Sequence, residues 1–225
     1  RLYYNNCNNV AKGQPWSFAD AQYGTKKNFP VSGFNSKDVK LADLDGDGWL
    51  DAMIFNWGQT DRVYFNNGGN YDNDDGLHFP QQETYMQTGT GQFVDVDGDG
   101  DLDLVTTKYR GSSNYWPAVY LNALAQKGGA VFTDASPQNL PKYRGEDVRY
   151  VTIGDLNGDK IPDMYLTRND HQDWLLLNHG WAENKPMIDK FRVPKGAFAN
   201  NTVFGYPESA FDTTDAKAGD IDGDG

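Results

Sequence analysis

Basic residues are scarce. Lys and Arg number 20 against 32 Asp and Glu, which leaves a formal charge of −12 over 225 residues. No basic stripe exists to draw phosphates in, so neither a nucleic-acid partner nor an anionic membrane surface is expected. Cysteine is nearly missing too. Cys7 stands alone, so no internal disulfide forms and the redox compartment cannot be read from thiols. No run of about 18 apolar residues occurs, and Arg1 opens no signal-peptide pattern, so direct membrane insertion is not expected. A Ser-His-Asp spelling, a Gly-rich phosphate loop and a zinc-ligand spacing are all lacking.

What is present points to a folded chain rich in turns. At 38% hydrophobic and 14% aromatic it is too apolar to be disordered. The 25 glycines, together with short apolar runs between turn signals, favour an all-β class.

Fifteen of the 32 acidic residues fall in three nine-residue loops and the start of a fourth. The loops read Asp43-Leu-Asp45-Gly-Asp47-Gly-Trp49-Leu-Asp51, Asp95-Val-Asp97-Gly-Asp99-Gly-Asp101-Leu-Asp103, Asp155-Leu-Asn157-Gly-Asp159-Lys-Ile161-Pro-Asp163 and Asp220-Ile-Asp222-Gly-Asp224-Gly225. Carboxylates or amides at positions 1, 3, 5 and 9, with glycines that let the backbone curl inward, supply the oxygen shell that Ca2+ prefers. Position 7 would add a backbone carbonyl from Trp49, Asp101 or Ile161. Four like charges within nine residues repel one another unless a cation or water relieves them. One such stretch alone would read equally well as a solvated turn, but repetition at matched positions favours the metal reading. An EF-hand is ruled out, because its position 12 requires Glu and these loops hold Ile54, Thr106 and Leu166 there. Four bound divalent ions would bring the net charge to about −4, which would make the metal part of the electrostatic balance.

The first aspartates fall at steps of 52, 60 and 65 residues, a period that calls for a modular architecture. A short apolar stretch precedes each loop: Val39 to Ala42, Gln92 to Val94, Val151 to Gly154 and Ala216 to Gly219. A β-prone run follows each complete loop, at Leu50 to Asn56, Leu102 to Lys108 and Pro162 to Arg168. A third run ends each time in asparagine, at Arg62 to Asn66, Ala118 to Asn122 and Trp174 to Asn178. A less regular fourth is expected at Leu77 to Phe79, Ala130 to Asp134 and Lys190 to Val193. Four antiparallel strands per repeat is the signature of propeller blades. Arg1 to Asn5 matches the third run and Pro15 to Asp20 the fourth, so the chain is expected to be part of a longer protein, starting and stopping within a repeat. The expected limits are 35–90, 91–148 and 149–215 for three complete blades, with 1–34 and 216–225 partial, all within one domain.

In these loops the chain resembles the FG-GAP/VCBS-type repeats of integrin-α-like β-propellers, whose hallmark is Asp-x-Asp-Gly-Asp-Gly-x-x-Asp between the first two strands of a blade. The resemblance implies a propeller, commonly of seven blades, with Ca2+ in those loops, extracellular, and engaged in adhesion or carbohydrate binding. Phe204-Gly205 is the only Phe-Gly pair and lies well upstream of its loop, so the VCBS-like variant fits better. Asn157 and Lys160 depart from the pattern, so the third site is expected to be the weakest. Calcium loops of this kind work where the ion is abundant, which also places the chain outside the cell or on its surface. Asn200-Asn-Thr202 spells a glycosylation sequon.

A protein or glycan partner is expected at the end opposite the acidic loops, where the second-to-third-strand connections emerge. Trp57, Tyr109, Arg110, Asn114, Tyr115, Trp116 and His171 lie there, and their rings and polar tips suit sugar stacking or a protein interface. The competing reading is that these rings pack between blades. Catalysis has little support, because His171 and His179 should sit at opposite ends of one strand and His78 reads as structural. A propeller enzyme acting on carbohydrates, as lyase, dehydratase or hydrolase, stands as the alternative, and homo-assembly into a surface structure as a further one.

Overall fold

The structure, a computed structural model, describes residues 3–5, 18–20, 33–68, 70–73, 79–80, 87–108, 117–124, 129–136, 148–156, 158–168, 173–178, 191–192 and 217. Among them the chain is all-β and every strand pairing is antiparallel. β1 (Tyr3–Asn5) pairs with β2 (Phe18–Asp20). Three four-stranded sheets follow in chain order. The first holds β3 (Ser36–Ala42), β4 (Asp51–Asn56), β5 (Arg62–Asn66) and β6 (Tyr71–Asn73). The second holds β7 (Thr88–Val94), β8 (Asp103–Lys108), β9 (Ala118–Asn122) and β10 (Phe132–Asp134). The third holds β11 (Val148–Gly154), β12 (Asp163–Arg168), β13 (Trp174–Asn178) and β14 (Phe191–Arg192).

Each sheet is an up-and-down meander, which short connections and antiparallel pairing allow. Its first hairpin is closed by an acidic loop, with the residue before the loop paired to its position-9 aspartate: Ala42 with Asp51, Val94 with Asp103, Gly154 with Asp163. The first strands run longer than their apolar cores suggest and carry irregularities at Ser36/Asp38, Thr88/Gly91 and Val148/Tyr150. Polar residues can continue a strand there because the ladder, once nucleated, satisfies the backbone. Of the strand expected at Leu77 to Phe79, Leu77 and His78 lie outside the described residues, and Phe79 is in no strand. The fourth strand of the first sheet is Tyr71–Asn73, brought back at once by a tight turn in which Asn67 N donates to Asn70 O at 2.8 Å and Gly68 takes φ 66°. Phe79 lies in a bend instead, buried against the rings of Tyr120 (4.8 Å) and Phe132 (5.6 Å).

The sheets pack face to face through two apolar clusters. One joins Met53, Phe55 and Val63 of the first sheet to Leu104, Tyr120 and Phe132 in the second. The other joins Val105 and Val119 of the second sheet to Val151, Met164 and Leu176 in the third. The leading strands β3, β7 and β11 also lie against one another in sequence. At the first junction Gly91 is packed so tightly that a Cβ there would lie 2.6 Å from the Phe55 ring of the first sheet and 2.9 Å from Val105 O of its own sheet. A strand glycine here marks a close packing contact rather than a turn.

Candidate functional site

Each acidic loop folds onto its own carboxylates. In the first, Asp43 accepts hydrogen bonds from Gly46 N (2.8 Å) and Gly48 N (2.9 Å), Asp45 from Asp47 N (3.2 Å), and Asp47 from Trp49 N (2.8 Å). The second repeats this with Gly98 and Gly100 on Asp95 (2.7 and 3.0 Å), Asp99 N on Asp97 (3.2 Å) and Asp101 N on Asp99 (2.9 Å). In the third, Gly158 N, Asp159 N and Lys160 N converge on Asp155 (2.7, 3.1 and 2.8 Å), and Ile161 N donates to Asp159 (2.9 Å). The tight curl needs left-handed backbone at position 6, where Gly48 and Gly100 take φ 89° and 93° and Lys160 is held at φ 68°.

Position 9 is different in kind. Asp51, Asp103 and Asp163 are fully buried, and each spends both oxygens on backbone donors. One oxygen takes the N–H of loop position 2, from Leu44 (2.8 Å), Val96 (2.9 Å) or Leu156 (3.0 Å). The other takes the N–H of the asparagine that ends the third strand, Asn66, Asn122 or Asn178, at 2.8 Å in each case. The asparagines are therefore more than turn residues. Their side-chain amides reach backward, so that Asn122 Nδ2 donates to Leu44 O and Asn178 Nδ2 to Val96 O, both at 3.0 Å and both in the preceding loop. Asn recurrence at the strand ends was visible in the sequence, but contacts spanning 78 and 82 residues were not. Leu44 and Val96, the apolar position-2 residues, are buried in the clusters between sheets and anchor their loops there.

Carboxylates come together as the spacing predicts in two of the loops. Oxygens of Asp43, Asp45 and Asp51 lie within 4.8 Å of one another, and so do those of Asp95, Asp97 and Asp99. Among the described residues these are the groups of three that could hold a metal ion. The donor set is all oxygen, which suits a hard cation. Burial, and then the repulsion of Asp99, push Asp97 up to about 6. Burial raises Asp51 to about 6 and Asp103 to about 7 against the opposing pull of their two backbone donors, with neighbouring aspartates adding to the rise. Asp45 and Asp163 are raised for the same leading reason. Packed carboxylates of this kind hold protons towards neutral pH unless an opposite charge replaces them.

Residues 43–106 and 95–166 each match the FG-GAP-like repeat. The chain belongs to that family. FG-GAP-like repeats are typical of integrin-α-like extracellular modules and often bind calcium. No curated protein is similar enough to the chain to count as a match. No helix among the described residues is long and apolar enough to cross a membrane.

The remaining predicted site residues divide unevenly. Trp49 stands exposed at position 7, Asp101 is buried there and Ile161 half-buried. Asn157, Asp220, Asp222 and Asp224 lie outside the described residues, as do Tyr109, Arg110, Asn114, Tyr115, Trp116 and His171. Trp57 is described and half-buried. Its N–H donates to Asn35 O (2.8 Å), it bridges to Gln87 of the next repeat, and Lys37 Nζ stands 5.2 Å from its ring. The far ends of the first and third sheets carry a second aspartate clamp, with Asp61 capping Asn56 N (2.7 Å) and Asp173 capping Arg168 N (2.8 Å).

Proposed function

We propose that the chain is a calcium-stabilised segment of a β-propeller, acting outside the cell as a binding or structural module. The observation that carries it is the convergence of three carboxylates in each of the first two loops, on a backbone already curled around them. A cation there would be held by Asp43, Asp45 and Asp51, or by Asp95, Asp97 and Asp99, and would fix the hairpin that opens each sheet. The matching positions of the third and fourth loops are proposed as further sites, with the third the weakest.

The ring reading draws support from a comparison of sheet faces. In the second sheet Phe93 and Leu102 pack on the cluster shared with the first, and in the third Val151 and Ile153 pack on the cluster shared with the second. The matched residues of the first sheet, Val39, Leu41 and Leu50, are 52%, 54% and 53% exposed. They form the same receiving face, suited to one more sheet of the kind. Blades at 35–90, 91–148 and 149–215 follow from that reading, with 1–34 and 216–225 belonging to neighbouring ones.

A protein or glycan partner is proposed for the end away from the loops. Cation–ring pairs gather there, Arg62 on Phe34 (4.3 Å), Arg168 on Trp174 (3.9 Å) and Lys37 on Trp57 (5.2 Å). Calcium titration by calorimetry tests the metal reading: heat of binding should appear, and Asp45→Asn and Asp97→Asn should each remove one site. An athermal titration with an unchanged melting curve would overturn it. Glycan-array or pull-down binding that falls on Trp116→Ala or Tyr109→Ala, with no turnover, tests the partner reading.

A further inference from the structure

The position-9 aspartates of the three loops lie on one unbroken line of hydrogen bonds. Asp51 holds Leu44 N at 2.8 Å, Leu44 O accepts Asn122 Nδ2 at 3.0 Å, and Asn122 N donates to Asp103 at 2.8 Å. Asp103 in turn holds Val96 N at 2.9 Å, Val96 O accepts Asn178 Nδ2 at 3.0 Å, and Asn178 N donates to Asp163 at 2.8 Å. The same atoms and nearly the same distances recur at both junctions.

We propose that Asn122 and Asn178 are positioning residues that couple neighbouring loops, so that a cation held by one loop raises the affinity of the next. The inference rests on the cation-binding reading above and concerns what links the sites.

Asn122 is suited to this because both polar atoms of its side chain and its N–H are committed. Its Nδ2 also reaches Leu102 O (3.3 Å) and its Oδ1 accepts Val131 N (3.1 Å), which settles the orientation of the amide. It is 2% exposed, so water offers no substitute partner. Leu44 is equally constrained, with its side chain buried, its N–H on the aspartate of its own loop and its carbonyl on the asparagine of the next sheet. A cation that orders the first loop therefore fixes the Leu44 carbonyl, and with it the asparagine whose N–H orients Asp103. The second loop then meets its own cation with part of its ordering cost already met, which is positive coupling without a large movement. Only an amide can do this, since a carboxylate would oppose the carbonyl and an alkyl group would leave it unpaired.

Terbium(III), an oxygen-seeking ion that emits when excited through a nearby indole, tests the idea on the full chain, because Trp49 lies within the first loop. Asp97→Asn disables the second loop. With Asn122 present, that change should weaken terbium binding at the first loop roughly fivefold, and in Asn122→Ala the same change should alter it by less than about twofold. Asn178→Ala, at the other junction, should leave the fivefold effect in place. Equal fold-changes with and without Asn122 would overturn the coupling while leaving the sites intact, whereas no Trp49-sensitised emission would remove the sites and the coupling together. Should Asn122→Ala not fold by circular dichroism, the unmodified chain decides: a calcium titration steeper than that of independent sites supports the coupling, and a Hill slope of one overturns it.

Discussion

The first two acidic loops and the third share a backbone and differ in their chemistry. All three wrap their N–H groups around the position-1 carboxylate, and all three bury the position-9 aspartate between loop position 2 and an asparagine. The first two also bring three carboxylates within 4.8 Å. The third has Asn157 at position 3 and Lys160 where glycine stands in the others, the latter forced to φ 68°. The curl of the loop is set by backbone donors reaching positions 1 and 9, and it persists in the third loop, where position 3 is not a carboxylate and no group of three carboxylates that close occurs among the described residues.

The largest expected effect comes from the metal itself. Chelation by EDTA should lower Tm by roughly 5–10 °C per well-filled site at saturating calcium, and re-addition should restore it. Asp45→Ala or Asp97→Ala should abolish most of that gain at its loop, and Asn157→Ala little of it. Equal losses from all three would erase the distinction between the loops.

Gly91→Ala separates sheet packing from loop chemistry. A Cβ 2.6 Å from the Phe55 ring must displace it, at a cost of about 2 kcal/mol, and urea denaturation should show the same loss with and without calcium. A calcium-dependent loss would mean that the sheets and loops are not independent.

Lys160→Gly should do the opposite at the third loop. It relieves a left-handed backbone at a non-glycine residue, so it should stabilise by about 1 kcal/mol in the same assay.

The smallest and most diagnostic effect is in pH. In the ion-free chain Asp51 and Asp97 are raised to about 6 and Asp103 to about 7, above the ordinary carboxylate range. The folded state then binds more protons than the unfolded one, so the contribution of these groups is full below about pH 4 and is lost as pH rises to about 7. Calcium needs the deprotonated forms, so its stabilising increment should grow between pH 5 and pH 8. Thermal melts across that range with EDTA and with calcium check both signs, and a calcium increment independent of pH would count against carboxylate ligation.

Much of the fold was legible because the repeat is local. Recurring apolar runs ending in asparagine placed the third strands at their observed limits, and the Asp-Gly pattern placed the loops, since both arise from side chains within a few residues of one another. The misplaced fourth strand of the first sheet shows the limit of such reading: Phe79 looked like a strand residue because it is apolar, yet it is buried by rings from the next sheet. The same limit applied to Asn66, Asn122 and Asn178, whose recurrence was plain and whose purpose was not.

By itself, then, the sequence determined where carboxylates crowd and where chain reversals fall, because like-charge repulsion and backbone freedom act over short stretches. Tertiary structure alone decided that the ninth aspartate is buried and that an asparagine ties the second loop to the first and the third to the second. Those hydrogen bonds join residues that only the stacking of whole sheets brings within 3 Å, and no pattern along the chain encodes such a distance.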